Sequence, residues 1–382
     1  MRLALNAWFW DRPATGSGQY ARRLVKALAA LSPDLEIVLV IPLEPSGDEE
    51  LRPLDSPGSC VYHPIPFSRS NLAKVIFEQV AFPRACARVE ADVAHVPYWG
   101  APARSPVPLL VTIHDLIPLL LRNYRGGPLQ RLYTALVSAT ARGADLALTD
   151  SEASRRDILE RLALPRQRVR VIPLAVDDQY GPKPAAEDES IRADYGLRDR
   201  YVLYLGGFDR RKDLATVLAA YRWADPAIGQ RYPLVIAGRL PERDTTFTPD
   251  PRRLMGEENV PEESVHFIGF VDEADKPALY RGAAAFIFPS RYEGFGLPPL
   301  EALACGTPVV ASDASSLPEI VGDAGILLPP GDARGMAGAL IRLIDDVVFR
   351  AQLSRRAVER AATFSWARTA KATLAAYRAV QP

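Results

Sequence analysis

Short, continuous apolar runs recur along the chain, and stretches with helical spacing separate them. The runs at residues 2–7, 35–41, 61–65, 92–96, 109–113, 144–149 and 169–174 read as strands buried on both faces of a parallel sheet. In the helix expected over 19–31, Leu24, Val25, Leu28 and Leu31 share one face. In that expected over 71–89, Leu72, Val75, Ile76 and Val80 read as a face packed on the core. A helix over 151–162 opens on Asp150 or Ser151 as its cap. A second series follows, with strands at 200–205, 233–237, 265–270, 283–288 and 308–311. Its helices are expected at 214–223, 275–282, 300–304, 332–344 and 347–363, and a last one runs from the Ser365 cap to about Val380. Between the series, residues 182–190 are polar, proline-bearing and aperiodic, which marks a linker. Each series opens with strand, glycine turn and helix, at Thr15-Gly16-Ser17-Gly18 and at Gly206-Gly207-Phe208-Asp209. The pattern predicts an α/β fold with two Rossmann-like domains, 1–181 and 182–364.

Composition narrows the function. The 382 residues balance 46 Lys and Arg against 46 Asp and Glu, so a nucleic-acid partner has no charge signature. Cys60, Cys86 and Cys305 are scattered, as are His63, His95, His114 and His266, and no metal-ligand spacing is legible. No metal and no cofactor is expected. The chain opens directly on a strand and holds no membrane-length apolar run, which leads to the expectation of a cytoplasmic protein. Arg69, Lys74, Arg84 and Arg88 lie among the apolar residues around 71–89 and would allow peripheral contact with the inner face of an anionic membrane.

The chemistry concentrates after residue 288. Glu293-Gly294-Phe295-Gly296-Leu297 follows an apolar strand, and Pro298 and Pro299 suit the first turn of the next helix. Glycines admit close approach of a ligand, and amides at a helix start favour an anion. Glu293 and Glu301, eight residues apart, would be repelled by an anion unless each accepts hydroxyls on either side of it. Sugar, diphosphate and ribose in a row have that layout. In the second glycine turn, Arg210, Arg211 and Lys212 offer cations to a leaving phosphate. His114-Asp115 closes the run 109–113, at a strand's carboxyl end where α/β sheets bind ligands.

Glu293 to Glu301 resembles the E-x7-E signature of retaining glycosyltransferases with the GT-B fold, most closely family four (group 1), typified by bacterial mannosyltransferases. The resemblance covers nearly the whole chain. It implies two Rossmann-like domains facing a cleft, with the final helix, 365–382, crossing back to the first. It implies that Glu293 holds the transferred sugar, that Glu301 binds ribose, and that Gly294, Phe295, Gly296 and Leu297 line the diphosphate. Gly238 and Val271 would lie at the donor cleft, the latter beside a base-reading loop. Family members usually carry Arg where this chain has Gly207, five residues before Lys212. Arg211 or Arg210 would then replace it. Gly16 and Gly18 are implied near the donor phosphates or the acceptor. His114 would face the transferred sugar, and Asp115 would orient its ring or meet a hydroxyl. The donor is expected to be a nucleoside diphosphate sugar, first of all GDP-mannose. The acceptor is expected to be a glycan or lipid-linked intermediate of cell-surface polysaccharide assembly. A UDP-sugar transferase, an epimerase or phosphorylase of related fold, and a non-catalytic sugar-nucleotide-binding protein are the alternatives.

Overall fold

The computed structural model describes residues 1–12, 15–43, 60–197 and 200–381. The chain divides into two compact units, Met1–Leu174 with Ser365–Pro382, and Ala175–Phe364. The first unit therefore ends before the 181/182 division expected from the proline-bearing stretch. That stretch is tied into the second unit: Tyr180 donates to Glu273 (2.6 Å), and Arg281 holds Gly181 O and the Asp188 carboxylate. Its end is not linker but the start of a helix, Asp188–Asp194.

The first unit is built on β1 (Arg2–Asn6), β2 (Glu36–Leu43), β3 (Cys60–Pro66), β4 (Val93–Val96), β5 (Leu109–Thr112), β6 (Leu146–Thr149) and β7 (Val169–Val171). All pair in parallel in the order β3-β2-β1-β4-β5-β6-β7. The second unit carries β8 (Tyr201–Leu205), β9 (Leu234–Ala237), β10 (Val265–Gly269), β11 (Ala283–Phe288), β12 (Val309–Ser312) and β13 (Gly325–Leu328), parallel in the order β10-β9-β8-β11-β12-β13. Both are doubly wound sheets, and the chain reverses its direction of growth between β1 and β4 and between β8 and β11. Ligands of such sheets bind at the carboxyl edge of that crossover. The central strands β4, β5, β6, β9, β11 and β12 are buried at every position, as unbroken apolar runs require. The sequence reading passes over β13 and the helices Leu317–Val321 and Pro251–Glu257, which are too short to show a period.

Two helices depart from expectation. Gly16 and Gly18 lie inside the helix Gly16–Leu31 rather than in a loop before it, with Thr15 as its cap. The helix expected over 71–89 is interrupted. It runs Asn71–Ile76, then a π-helical turn Phe77–Ala81, then Phe82–Arg88. Its expected core face is turned outward, since Leu72, Ile76 and Val80 are exposed, while Phe77, Phe82 and Cys86 are buried.

The final helix, Trp366–Val380, belongs to the first unit. Ser365 caps it, Thr369 Oγ1 donates to Pro173 O (2.7 Å), and Trp366 lies near Tyr20. Its deepest anchor is Tyr377, whose hydroxyl meets His95 Nδ1 at 2.8 Å. His95 Nε2 meets Thr112 Oγ1 at 2.8 Å, so the ring joins β4, β5 and the helix. Burial, with the nearby His114, pushes the His95 imidazole down from its ordinary 6.5 to about 3. The folded state resists protonation there, so this contribution is complete above about pH 6.5 and declines as pH falls toward 3. His95→Gln retains a donor and an acceptor and removes the titration. Its thermal midpoint should fall less steeply than the wild type's between pH 6.5 and 4, a window set by the same shift.

Candidate active site

In the second unit, β8 and β11 deliver their following loops to one place. After β8, Gly206 and Gly207 lead to a single 3-10 turn, Arg210–Lys212, capped by the Asp209 side chain. Asp213 then adopts a left-handed conformation (φ 54°). Its carboxylate accepts from Thr216 Oγ1 and from Arg291 Nε, both at 2.8 Å, which offsets the cost of that backbone in a residue with a side chain. After β11, Ser290 donates to Glu293 Oε1 (2.5 Å), and Arg291 N–H donates to Arg211 O (2.8 Å), stitching the two loops together.

Glu293 is the centre of this junction. Lys212 Nζ stands 2.7 Å from one carboxylate oxygen and Arg211 Nη1 2.7 Å from the other. Arg211 also donates to Tyr292 O (2.8 Å), and the Lys212 ammonium lies over the Phe288 ring. Of the two candidates for the missing guanidinium, Arg211 points into the junction, while Arg210 is exposed. Burial alone would raise the Glu293 carboxyl, but Lys212 and Arg211 outweigh it and hold the group below its ordinary value.

The glycine loop is held from beneath. Ser315 Oγ accepts the Glu293 N–H (2.7 Å), and Ser316 Oγ donates to Glu293 O and Phe295 O. Gly296 has φ 113°, where a side chain would be strained and would press on Leu317. The helix Leu297–Ala304 follows. Pro298 and Pro299 have no N–H, and Leu300 N–H already reaches Gly296 O (3.3 Å). An anion is therefore offered the amides of Gly296 and Leu297 rather than a full helix terminus. Glu301 is buried, and its carboxylate accepts from Tyr280 Oη (2.9 Å). Gly238, at φ 155°, passes so close to Gly206 O that a Cβ would sit 2.3 Å from it. Its constraint is this crossing between β8 and β9, and Val271 is buried beyond β10.

In the first unit, His114 follows β5 and Asp150 follows β6. His114 Nδ1 and Asp150 Oδ2 are 2.7 Å apart. The Tyr20 ring packs edge-on against the imidazole. Burial disfavours the imidazolium, but the carboxylates of Asp150 and Asp115 outweigh it and raise the His114 value. Nε2 is buried, and the Pro97 backbone carbonyl also helps to raise the imidazole's value. Asp150, not Asp115, orients the ring, because Asp115 Oδ1 accepts the Ile117 N–H (2.9 Å). Gly18 is buried against the chain: a Cβ would meet Arg12 O at 2.2 Å and Phe9 O at 2.7 Å. This packing is enough to require a glycine there. Gly16 has open space beside it. Sequence reasoning gave Ser290 and Tyr280 no role and read Asp150 only as a candidate helix cap, because these roles depend on which loops and helices meet.

The junction yields a test. With its folded value below the ordinary 4.5, Glu293 contributes stability that is complete above about pH 4.5 and is lost as pH falls through the folded value. Glu293→Gln leaves Lys212 and Arg211 uncompensated. It should cost about 3 kcal/mol at pH 7 in urea unfolding, and its stability should depend less on pH below 4.5 than the wild type's.

Comparison with known proteins agrees with this architecture. Residues 187–361 match the family described as glycosyl transferases group 1, and residues 14–180 match glycosyltransferase family 4. The chain is 31% identical to O-antigen chain mannosyltransferase B of Escherichia coli over 96% of each protein. It is 26% identical to the solved sucrose-phosphate synthase of Thermosynechococcus elongatus, with a TM-score of 0.76 over 100% of this chain and 99% of that one. A glycosyltransferase of Rickettsia africae shares the fold at 16% identity, with a TM-score of 0.73 over 99% and 98% of the two chains. Twin doubly wound units, a carboxylate pair flanking a glycine loop and full-length similarity lead to one assignment: this chain belongs to the group 1 glycosyltransferases of GT-B fold.

Proposed function

We propose that this glycosyltransferase transfers mannose, with retention and without a metal, from GDP-mannose to a glycan or lipid-linked acceptor during assembly of a cell-surface polysaccharide. The observation that carries the reading is the convergence of Lys212 and Arg211 on Glu293, beside the Gly296 and Leu297 amides, at the crossover edge of β8 and β11. Departure of a nucleoside diphosphate builds negative charge on its phosphate. Two fixed cations at that point stabilise the charge as it develops. Glu293 keeps both cations in place before the donor arrives and accepts a hydroxyl of the sugar afterwards. Glu301, braced by Tyr280, takes the ribose hydroxyls. In the first unit, His114, fixed by Asp150, is a candidate contact for a sugar hydroxyl. A same-face reaction, in which the leaving phosphate accepts the acceptor's proton, needs no protein nucleophile. The mannose assignment is supported by the name of the Escherichia coli relative. The name of the sucrose-phosphate synthase neighbour speaks of no mannose, which keeps a second reading, transfer of another sugar.

A lipid-linked acceptor would give the first unit a second partner, an anionic membrane surface, although Arg69 and Lys74, two of the four basic residues expected to meet it, are largely buried in ion pairs with Asp11 and Glu78. Leu72, Leu129 and Leu132 are 71%, 84% and 69% exposed. Between residues 116 and 144 the chain carries Arg122, Arg125, Arg131 and Arg142 and no acidic residue. Apolar side chains rimmed by arginine suit an interfacial contact. No helix among the described residues is long and apolar enough to cross a membrane.

Thermal shift against GDP, UDP, ADP and dTDP sugars tests the donor. A ligand at about a hundred times its dissociation constant stabilises by ~2.7 kcal/mol. GDP-mannose should give the largest shift, and Glu301→Ala should weaken it. Absence of a shift with every sugar nucleotide would count against the donor site. Lys212→Ala should lower kcat by about a hundredfold or more, measured as nucleotide release in the presence of acceptor.

A further inference from the structure

At the carboxyl edge of the first sheet, across β4 from His114, lies a second polar centre that the donor chemistry does not use. It is built on the π-helical turn Phe77–Ala81, where the Phe82 N–H reaches back to Phe77 O and Pro83 has no N–H to give. Such turns concentrate at functional sites. Glu78, on this turn, is fully buried. Its oxygens accept from Tyr133 Oη at 3.0 and 3.2 Å, and Lys74 Nζ stands 3.1 Å away. Lys74 Nζ also donates to Tyr133 Oη (2.5 Å). The rings of Phe9, Tyr98 and Tyr133 surround the ammonium, with centroids 5.4, 5.0 and 4.5 Å from it.

Two donors remain unspent. Lys74 has three N–H groups, and among the described residues it has only Glu78 and Tyr133 as partners. Asn6, at the end of β1, accepts the Trp8 N–H and the Tyr98 hydroxyl on Oδ1, both at 3.1 Å, while its buried Nδ2 has no partner among the described residues.

The surroundings are rigid. A Cβ at Gly100 would lie 2.5 Å from the Tyr98 ring and 2.6 Å from Glu78 Oε1, so only glycine lets that loop close over the pair. The loop bearing Phe9 is clamped on both sides. Arg69 donates to Trp8 O (2.6 Å) and Arg22 to Trp10 O (3.1 Å), and each guanidinium lies over the ring of the residue it binds.

A buried ion pair is an expensive way to fill a core, and apolar residues of the same volume would do at least as well. Lys74 is not sealed in: its side chain is 18% exposed, beside the half-buried rings of Phe9 and Tyr133. A rigid aromatic wall with a few directed donors is the chemistry of a sugar-binding site. Glu78 already balances the ammonium's charge, so the centre suits a neutral hydroxyl rather than an anion.

We propose that Lys74 recognises the acceptor: its remaining N–H donates to a hydroxyl of a neutral acceptor sugar whose ring lies against Phe9. Glu78 is the positioning residue that holds the ammonium there. This rests on the glycosyltransferase reading and deepens it by naming the acceptor class and the group that meets it.

The test measures initial rates of mannose transfer from GDP-mannose to octyl glycosides of mannose, N-acetylglucosamine and galactose. The wild type is compared with Lys74→Met, Glu78→Gln and Phe9→Leu. Loss of one hydrogen bond from a charged donor corresponds to about a tenfold or larger rise in the acceptor KM. That rise is expected in Lys74→Met, and a smaller one in Glu78→Gln, with the KM for GDP-mannose within about twofold of wild type. An unchanged acceptor KM in Lys74→Met, or a donor KM that rises as much, overturns the proposal. Should Lys74→Met fail to fold, an unchanged acceptor KM in Phe9→Leu overturns it instead. Wild-type hydrolysis of GDP-mannose without transfer to any of these neutral glycosides also counts against it. Absence of both hydrolysis and transfer in the wild type would instead sink the functional reading itself.

Discussion

The ion cluster in which Glu293 holds Lys212 and Arg211 is the constraint on which the second unit's chemistry depends. Two cations held side by side repel each other. A carboxylate between them removes that repulsion and sets both side chains to their positions in advance. The backbone repeats the same connection, because the Arg291 N–H donates to Arg211 O. The turn after β8 and the turn after β11 are thereby one object, although 81 residues separate Lys212 from Glu293. Serines at 312, 315 and 316 support it from the neighbouring strand end.

The first unit uses the same device three times along its carboxyl edge. His114 is oriented by Asp150, His95 is strung between Thr112 and Tyr377, and Lys74 is held by Glu78 and Tyr133. In each case a polar side chain is taken out of water and given directed partners, which costs desolvation and returns a fixed geometry. The outcomes differ with the partner. His95 has only hydroxyls and stays neutral. His114 has a carboxylate and gains basicity. Such positions can present a donor or acceptor without reorganising when a ligand arrives.

Apolar faces divide along the same lines. Buried runs in β4, β5, β6, β11 and β12 supply the cores. The stripe of Leu72, Ile76 and Val80 has the spacing of a core face yet lies outside. Periodicity reports that a face is apolar, and it does not report what covers it. Here the π-turn and the inward ring of Phe77 reverse the expected assignment.

Sequence alone determined most of the strands, the presence of two domains and the strand–loop–helix that carries Glu293 and Glu301. These depend on local properties: runs that must be buried on both faces, glycines and prolines that dictate backbone, and a carboxylate pair at a set spacing. It also placed His114 at a strand's end and Lys212 in a glycine turn. Only the tertiary structure decided which side chains meet. It chose Arg211 over Arg210, gave His114 to Asp150 rather than Asp115, and assigned Gly18 to packing against Phe9 and Arg12. It also set the cage around Lys74, which draws on residues from β1's loop, β4's loop and two helices. Those partners are distant along the chain and carry no shared pattern. Their encounter follows from strand order, which parallel pairing establishes only when the whole sheet assembles.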